Sequence, residues 1–165
     1  MALVGFMGAG KTTVGRALAR RLDEPFVDSD DVVSAAHGPI PDIFARHGEA
    51  RFREWEREAV LAAVAAAQSE PRVVSLGGGA VTIDDVREAL SRLPHVVWLD
   101  AALDVLFARA REGGRPLAGD RRSFAALYET RRALYEAVST AVVHVSADDE
   151  PEAVAARVCE AVTAP

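Results

Sequence analysis

Short runs of consecutive apolar residues alternate with longer stretches in which apolar residues return every three or four positions. That rhythm predicts strands and helices taking turns along the whole chain. "ALVGF" near the start, then "PFVDSD", "RVVSL", "HVVWLD" and "AVVHVS", have the apolar, β-branched character of strands. Helices are expected over Thr12–Leu22, Pro41–His47, Glu49–Gln68, Ile83–Arg92, Leu103–Glu112, Ser123–Val138 and Pro151–Val162. Strands separated by helices need crossover connections, so the sheet should be parallel. Strands without polar alternation should be covered on both faces. No repeat or linker interrupts the pattern, and residues 1–165 read as one α/β domain. Its irregular stretches lie near Ala36–Gly48 and Gly113–Asp120.

Composition narrows this picture. Half of the 165 residues are apolar, enough for a packed core. The net charge of −6 comes without a basic block, which disfavours nucleic acid as a partner. No apolar run reaches membrane-spanning length, and the first apolar stretch is short and runs straight into glycines, unlike a signal peptide. The lone cysteine, Cys159, can form no internal disulfide, which fits a reducing cytoplasm. It reads as a small core residue. His37, His47, His95 and His144 show no metal-ligand spacing.

Ligands in parallel α/β sheets sit beyond the carboxyl ends of the strands. Four polar or glycine-rich segments follow predicted strands: "GFMGAGKTT", "DSD", "GGG" and the region after Asp100. They should meet in one cleft. Gly5, Gly10, Lys11 and Thr12 satisfy the G-x-x-x-x-G-K-[ST] pattern. Such a loop turns its backbone N–H groups inward around phosphates, aided by the positive end of the following helix. Gly8, Ala9, Gly10, Lys11, Thr12 and Thr13 are therefore the expected nucleotide contacts. Lys11 should reach the β- and γ-phosphates and the Thr12 hydroxyl should bind Mg²⁺. Asp28 and Asp30 stand two apart and share a side if the strand persists, one suited to Mg²⁺ and one to an acceptor hydroxyl. A helix-capping role for Ser29 or an aspartate is compatible with this. Arg53 and Glu56 are three apart on one helical face and can pair. Gly77, Gly78 and Gly79 offer backbone to a small polar ligand, or simply a turn.

In order and spacing, "GFMGAGKTTVGRALA", "FVDSD", "IFARHGEARFREWE", "SLGGGAV", "RPL" and "RRALYEAV" resemble the shikimate kinase family over nearly the whole chain. The resemblance implies a P-loop three-layer α/β sandwich with a five-stranded parallel sheet in the order 2-3-1-4-5. It also implies a substrate-binding helical region at about 30–58 and a lid at about 112–121. The activity implied is transfer of the ATP γ-phosphate to the 3-hydroxyl of shikimate, with Mg²⁺, in a cytoplasmic monomer. By the same resemblance Lys11, Asp30 and Arg115 are catalytic, and Asp30 holds the substrate hydroxyls. Asp28 joins Thr12 at the metal. Arg53 and Arg131 grip the carboxylate, Glu56 orients Arg53, and Gly78 with Gly77 and Gly79 donates N–H contacts. Phe44, Phe52, Pro116 and Leu117 line the pocket. Two departures from the family pattern fall on the adenine side. The lid is short, and Arg109 rather than Arg111 is taken to pack on the base. In "SADDEPEAV" Pro151 matches, whereas Asp149 and Glu150 are acidic where relatives often carry a basic residue. A related small-molecule kinase acting on gluconate, or a P-loop module without turnover, are the alternatives. The glycine run and the Arg53/Arg131 pair argue against the first, and the intact Lys11, Asp30, Arg53, Arg115 and Arg131 against the second.

Overall fold

A computed structural model describes residues 1–113 and 119–163. In chain order the elements are β1 (Ala2–Val4), α1 (Lys11–Leu22), β2 (Phe26–Asp28), α2 (Ser29–His37), α3 (Ile40–Ser69), β3 (Val73–Ser75), α4 (Asp84–Leu90), β4 (Val96–Ala101), α5 (Leu103–Glu112), α6 (Arg121–Val138), β5 (Ala141–Val145) and α7 (Pro151–Thr163). All sheet pairings are parallel, and the strand order is β2-β3-β1-β4-β5. Sheet and order are those the resemblance implied.

Alternate side chains of a strand face opposite sides of its sheet. All three β1 residues are nonetheless at most 1% exposed, so helices cover both faces of the central strand. The apolar runs of β3 and of β4 up to Leu99 are buried in the same way. α1 packs on α7, α3 on α4, and α5 on α6.

Several boundaries differ from the sequence expectation. β1 stops at Val4 because Gly5, at φ 148°, leaves the extended region and begins the loop. β2 stops at Asp28, whose carboxylate accepts the Asp30 N–H at 2.9 Å and caps α2. The two aspartates thus owe their shared side to a strand end and a helix start, not to strand alternation. α2 and the first turns of α3 fill most of the stretch expected to be irregular. α3 breaks at Gly48 (φ 77°, ψ 171°), where the two expected helices meet. A 3-10 turn over Ala80–Thr82, which the periodicity does not reveal, follows the glycine run.

Beyond β2, Val33, Ile43 and Phe52 form a small second core, with Ile40, Phe44, Trp55 and Ala59 packed around it. This cluster ties α2 to both halves of α3. It also holds the segment that carries Arg53 and Glu56 rigidly above the sheet.

Candidate active site

Two clefts open at the carboxyl ends of the strands. One encloses about 760 Å³ around Gly8, Gly10, Lys11, Thr12, Thr13, Asp28 and Arg109. The other encloses about 430 Å³ between Ile40, Phe44, Phe52, Arg53, Glu56, Gly79 and Arg131. Met7, Asp30 and Gly78 line both, so the clefts adjoin at those three residues.

The first cleft is built by the loop between β1 and α1. Gly8 and Gly10 hold φ values of 86° and 88°, which side chains rarely adopt. A Cβ on Gly8 would also run into the Leu106 carbonyl. Lys11 folds back over the loop and donates to the carbonyls of Gly5 (2.8 Å) and Phe6 (3.0 Å). The Thr12 hydroxyl donates to Asp28 Oδ2 at 2.6 Å. Asp28 therefore caps α2 with one oxygen, as expected of an aspartate here, and accepts from Thr12 with the other. Thr13 donates to Gly10 O at 2.9 Å at the rim. Ala9, expected at the nucleotide, turns inward instead. It is fully buried and its N–H returns to Phe6 O at 3.2 Å.

The second cleft has a cationic end. Arg53, in the second half of α3, donates to Glu56 Oε2 at 2.6 Å and to Glu49 Oε1 at 3.0 Å. Burial works against its charge, but Glu56 and Glu49 outweigh it and raise the guanidinium's pKa. Glu56 is 1% exposed, and burial raises its pKa against the pull of Arg53. Arg131, on α6, is 5% exposed, lies over the Phe6 ring, and donates to Gly78 O at 3.3 Å. Burial and then the nearby Arg53 charge lower its pKa. Its Nε is buried without a hydrogen-bond partner among the described residues. Two guanidinium groups from distant helices thus line one cavity with Asp30.

Between the clefts runs the glycine segment after β3. Its carbonyls are all satisfied internally. Gly77 O accepts from Ala80 N, Gly79 O from Thr82 N and Oγ1, and Gly78 O from the Tyr135 hydroxyl at 2.6 Å. The N–H groups of Gly78 and Gly79 have no acceptor among the described residues. Gly77 corrects the sequence expectation. Its N–H is spent on Ser29 Oγ at 2.9 Å, because β2 and β3 run side by side and bring the two segment ends together. A Cβ there would strike Glu56 and Asp30, so this glycine makes room for the two carboxylates instead of donating to a ligand.

The shikimate kinase family profile matches residues 7–163, which takes in every residue lining the two clefts. The chain belongs to the shikimate kinase family. A shikimate kinase of Ruegeria pomeroyi is 45% identical over 146 residues, covering 86% of this chain and 73% of the relative. One of Symbiobacterium thermophilum is 50% identical over 119 residues, covering 70% and 67%. Among solved structures, a shikimate kinase from Acinetobacter baumannii in complex with shikimate superposes with a TM-score of 0.86 at 33% identity. That match covers 96% of this chain and 89% of the other.

Shikimate kinase membership leaves the segments expected near adenine to be read from this chain. Arg109 lines the first cleft and donates through Nη2 to the carbonyls of Ser146 (3.1 Å) and Ala147 (2.9 Å). Arg111 instead lies 5.8 Å from the Phe107 ring centroid. Pro151 opens α7 and lines neither cleft. Asp149 accepts the Ser146 N–H at 2.7 Å and takes a two-point grip from Arg157, at 3.1 and 2.5 Å. The Arg157 hydrogen bonds and the Ser146 N–H hold its carboxyl down at about 2. The acidic departure from the family pattern is therefore a loop brace whose charge Arg157 neutralises. Arg115, Pro116 and Leu117, with the middle of the expected lid, lie outside the described residues.

Sequence reasoning did not single out Met7, Ile40 or Tyr135, and it offered Ser29 only as a helix cap, not as the acceptor of the Gly77 N–H. Tyr135 had a signal: it stands one helical turn from Arg131, on the buried stripe Phe124, Tyr128, Arg131, Tyr135. An arginine inside an aromatic stripe marks a buried cation and the groups around it. The other three had none, since each matters only through contacts far away in the chain.

Proposed function

We propose that this chain transfers the γ-phosphate of ATP to the 3-hydroxyl of shikimate, giving shikimate 3-phosphate and ADP on the way to chorismate and the aromatic amino acids. One observation carries the reading most strongly. Arg131 is a buried cation with an unpartnered Nε, facing a cleft that it shares with Arg53 and Asp30. A buried charge whose hydrogen bonds and countercharge are incomplete is costly. Glu56 supplies part of the countercharge. A carboxylate ligand would supply the rest, with the planar geometry two guanidinium groups favour. Shikimate is a small ring bearing one carboxylate and several hydroxyls.

In this reading Arg53 and Arg131 hold the acid, with Glu56 orienting Arg53. Phe44, Phe52, Pro116 and Leu117 hold the ring, and the N–H groups of Gly78 and Gly79 add polar contacts. Asp30 stands where the clefts adjoin, and there it orients the acceptor hydroxyl and takes its proton. ATP occupies the first cleft, with Gly8, Gly10, Lys11, Thr12 and Thr13 around its phosphates and Arg109 at its base. Phosphoryl transfer depends mainly on alignment and charge neutralisation. Lys11 supplies positive charge from the loop, and Arg115 supplies it from the lid. Glycines at the lid's edges, Gly113 and Gly119, let it close and exclude water.

The Thr12 hydroxyl and the Asp28 carboxylate are adjacent hard oxygen donors, and they fit Mg²⁺. No group of three His, Cys, Asp or Glu converges among the described residues, which suits an ion held mostly by phosphates and water. When bound, that ion neutralises charge on the β- and γ-phosphates. The chain is taken to work as a cytoplasmic monomer, with neither nucleic acid nor membrane as partner. No described helix is long and apolar enough to cross a membrane.

Coupled detection of ADP tests the proposal, with ATP and Mg²⁺ alone, with shikimate, and with gluconate. ADP release that requires shikimate is expected. Release with gluconate instead, or none with either, would overturn the reading.

A further inference from the structure

Three glycines in a row are conformationally loose, and ordering them has a large entropic cost. The segment at Gly77–Gly79 nevertheless has to present its backbone to both clefts in one orientation. Two of its carbonyls are held by the turn that follows. The middle one, Gly78 O, is held from α6, 57 residues away, by the Tyr135 hydroxyl at 2.6 Å. The Arg131 bond to the same oxygen is longer, at 3.3 Å. A peptide unit is planar and trans, so fixing the Gly78 carbonyl also fixes the direction of the Gly79 N–H.

Tyr135 is itself immobile. It is fully buried, and its ring stacks on Trp98 of β4 with centroids 5.9 Å apart. Burial raises its pKa, so the phenol remains a hydrogen-bond donor. Tyr135 and Arg131 stand four apart on α6, share a face, and interact directly.

We propose that Tyr135 is a positioning residue for the acid-binding end of the cleft: its hydroxyl locks the Gly78–Gly79 peptide and steadies the Arg131 guanidinium. It touches neither reacting atom. The inference rests on the shikimate reading above and adds a residue to it. A phenylalanine would keep the ring and its packing but remove the lock.

Tyr135→Phe is the test, read by steady-state kinetics and calorimetry beside the unaltered protein. The KM for shikimate should rise about tenfold, the effect of roughly one well-made buried hydrogen bond. kcat should stay within about threefold, and the KM for ATP within about twofold. The loss of affinity should be at least about threefold larger for shikimate than for its analogue bearing a primary alcohol in place of the carboxylate. Equal losses on both ligands would reduce Tyr135 to a packing residue and overturn the inference, as would an unchanged KM or an equal change for ATP. Should the variant fold poorly, crystals of the unaltered protein with shikimate decide the matter. Tyr135 Oη should remain within hydrogen-bond distance of Gly78 O, and a contact that opens on binding would overturn the lock. The two readings fail separately. No shikimate-dependent ADP from the unaltered protein removes the proposed reaction, whereas an active protein indifferent to Tyr135→Phe removes only the lock.

Discussion

The two clefts adjoin at Asp30, Met7 and Gly78, yet they are made in opposite ways. The phosphate loop is local: Gly5 to Gly10 form one continuous turn between β1 and α1, and Lys11 to Thr13 open the helix. Its shape is enforced by backbone against backbone, as where Gly8 sits on the Leu106 carbonyl. The second cleft, proposed to take the acid, is convergent. Arg53 comes from α3, Arg131 from α6, Asp30 from the start of α2 and the glycines from the end of β3. There side chain meets side chain, as where a Cβ on Gly79 would overlap the Arg53 guanidinium. A local site should fail through its backbone and take the fold with it. A convergent site should lose affinity while the fold survives.

The largest effect is expected at the local cleft. Lys11→Met should lower turnover by about 10²–10³-fold, as removal of a charge stabilising the transition state does elsewhere. Calorimetric affinity for shikimate should stay within about twofold, since the groups proposed to bind the acid lie in the other cleft. Retained turnover would remove Lys11 from the mechanism. The convergent counterpart is Arg131→Ala. It should weaken shikimate binding by about tenfold to a hundredfold, the effect of losing hydrogen bonds to a charged group. ATP affinity should hardly move, and a parallel collapse in ATP binding would erase the distinction between the clefts.

A matched pair of glycine substitutions sharpens the contrast. Gly8→Ala combines a φ of 86° with a backbone clash and should destabilise the fold by about 2 kcal/mol, seen as a lower thermal midpoint. Gly79→Ala meets no backbone, only the Arg53 guanidinium, and should lower the midpoint less than Gly8→Ala while weakening shikimate binding about tenfold. Equal losses of stability from both would show that the cleft is as backbone-bound as the loop.

The smallest effect belongs to the brace on the adenine side. The Asp149 carboxyl lies at about 2 in the folded protein, below the roughly 3.9 of an unfolded chain. The folded state therefore binds this proton less readily, and stability is gained above about pH 4. That contribution fades as pH falls through about 2. Asp149→Asn should lower the thermal midpoint slightly at neutral pH, and the difference from the unaltered protein should close near pH 2. A constant difference across that range would mean that the carboxylate charge is not what holds the loop.

The same contrast explains what could be read without coordinates. The phosphate loop was legible because its chemistry is contiguous and its neighbours, one strand and one helix, are set by apolar periodicity. The Arg53–Glu56 pair was legible because three residues along a helix is a spatial neighbour. Gly48 as a helix break was legible from the change of pattern around it. The inward turn of Ala9 and the spending of the Gly77 N–H on Ser29 were not, because each depends on which carbonyl or hydroxyl folding brings close. The roles of Asp149 and Tyr135 were hidden for the same reason. Asp149 looks like an exposed acid until Arg157, in the second turn of α7, is placed against it. Tyr135 looks like core until its hydroxyl is seen at Gly78.

The central claim is that two guanidinium groups from separate helices pin a substrate acid opposite the phosphate loop. A crystal structure with shikimate and a non-hydrolysable ATP analogue tests it most directly. The carboxylate should lie within hydrogen-bond distance of both Arg53 and Arg131, and a ring hydroxyl beside Asp30 in line with the terminal phosphate. A carboxylate bound elsewhere, or a ring turned so that no hydroxyl reaches Asp30, would contradict it.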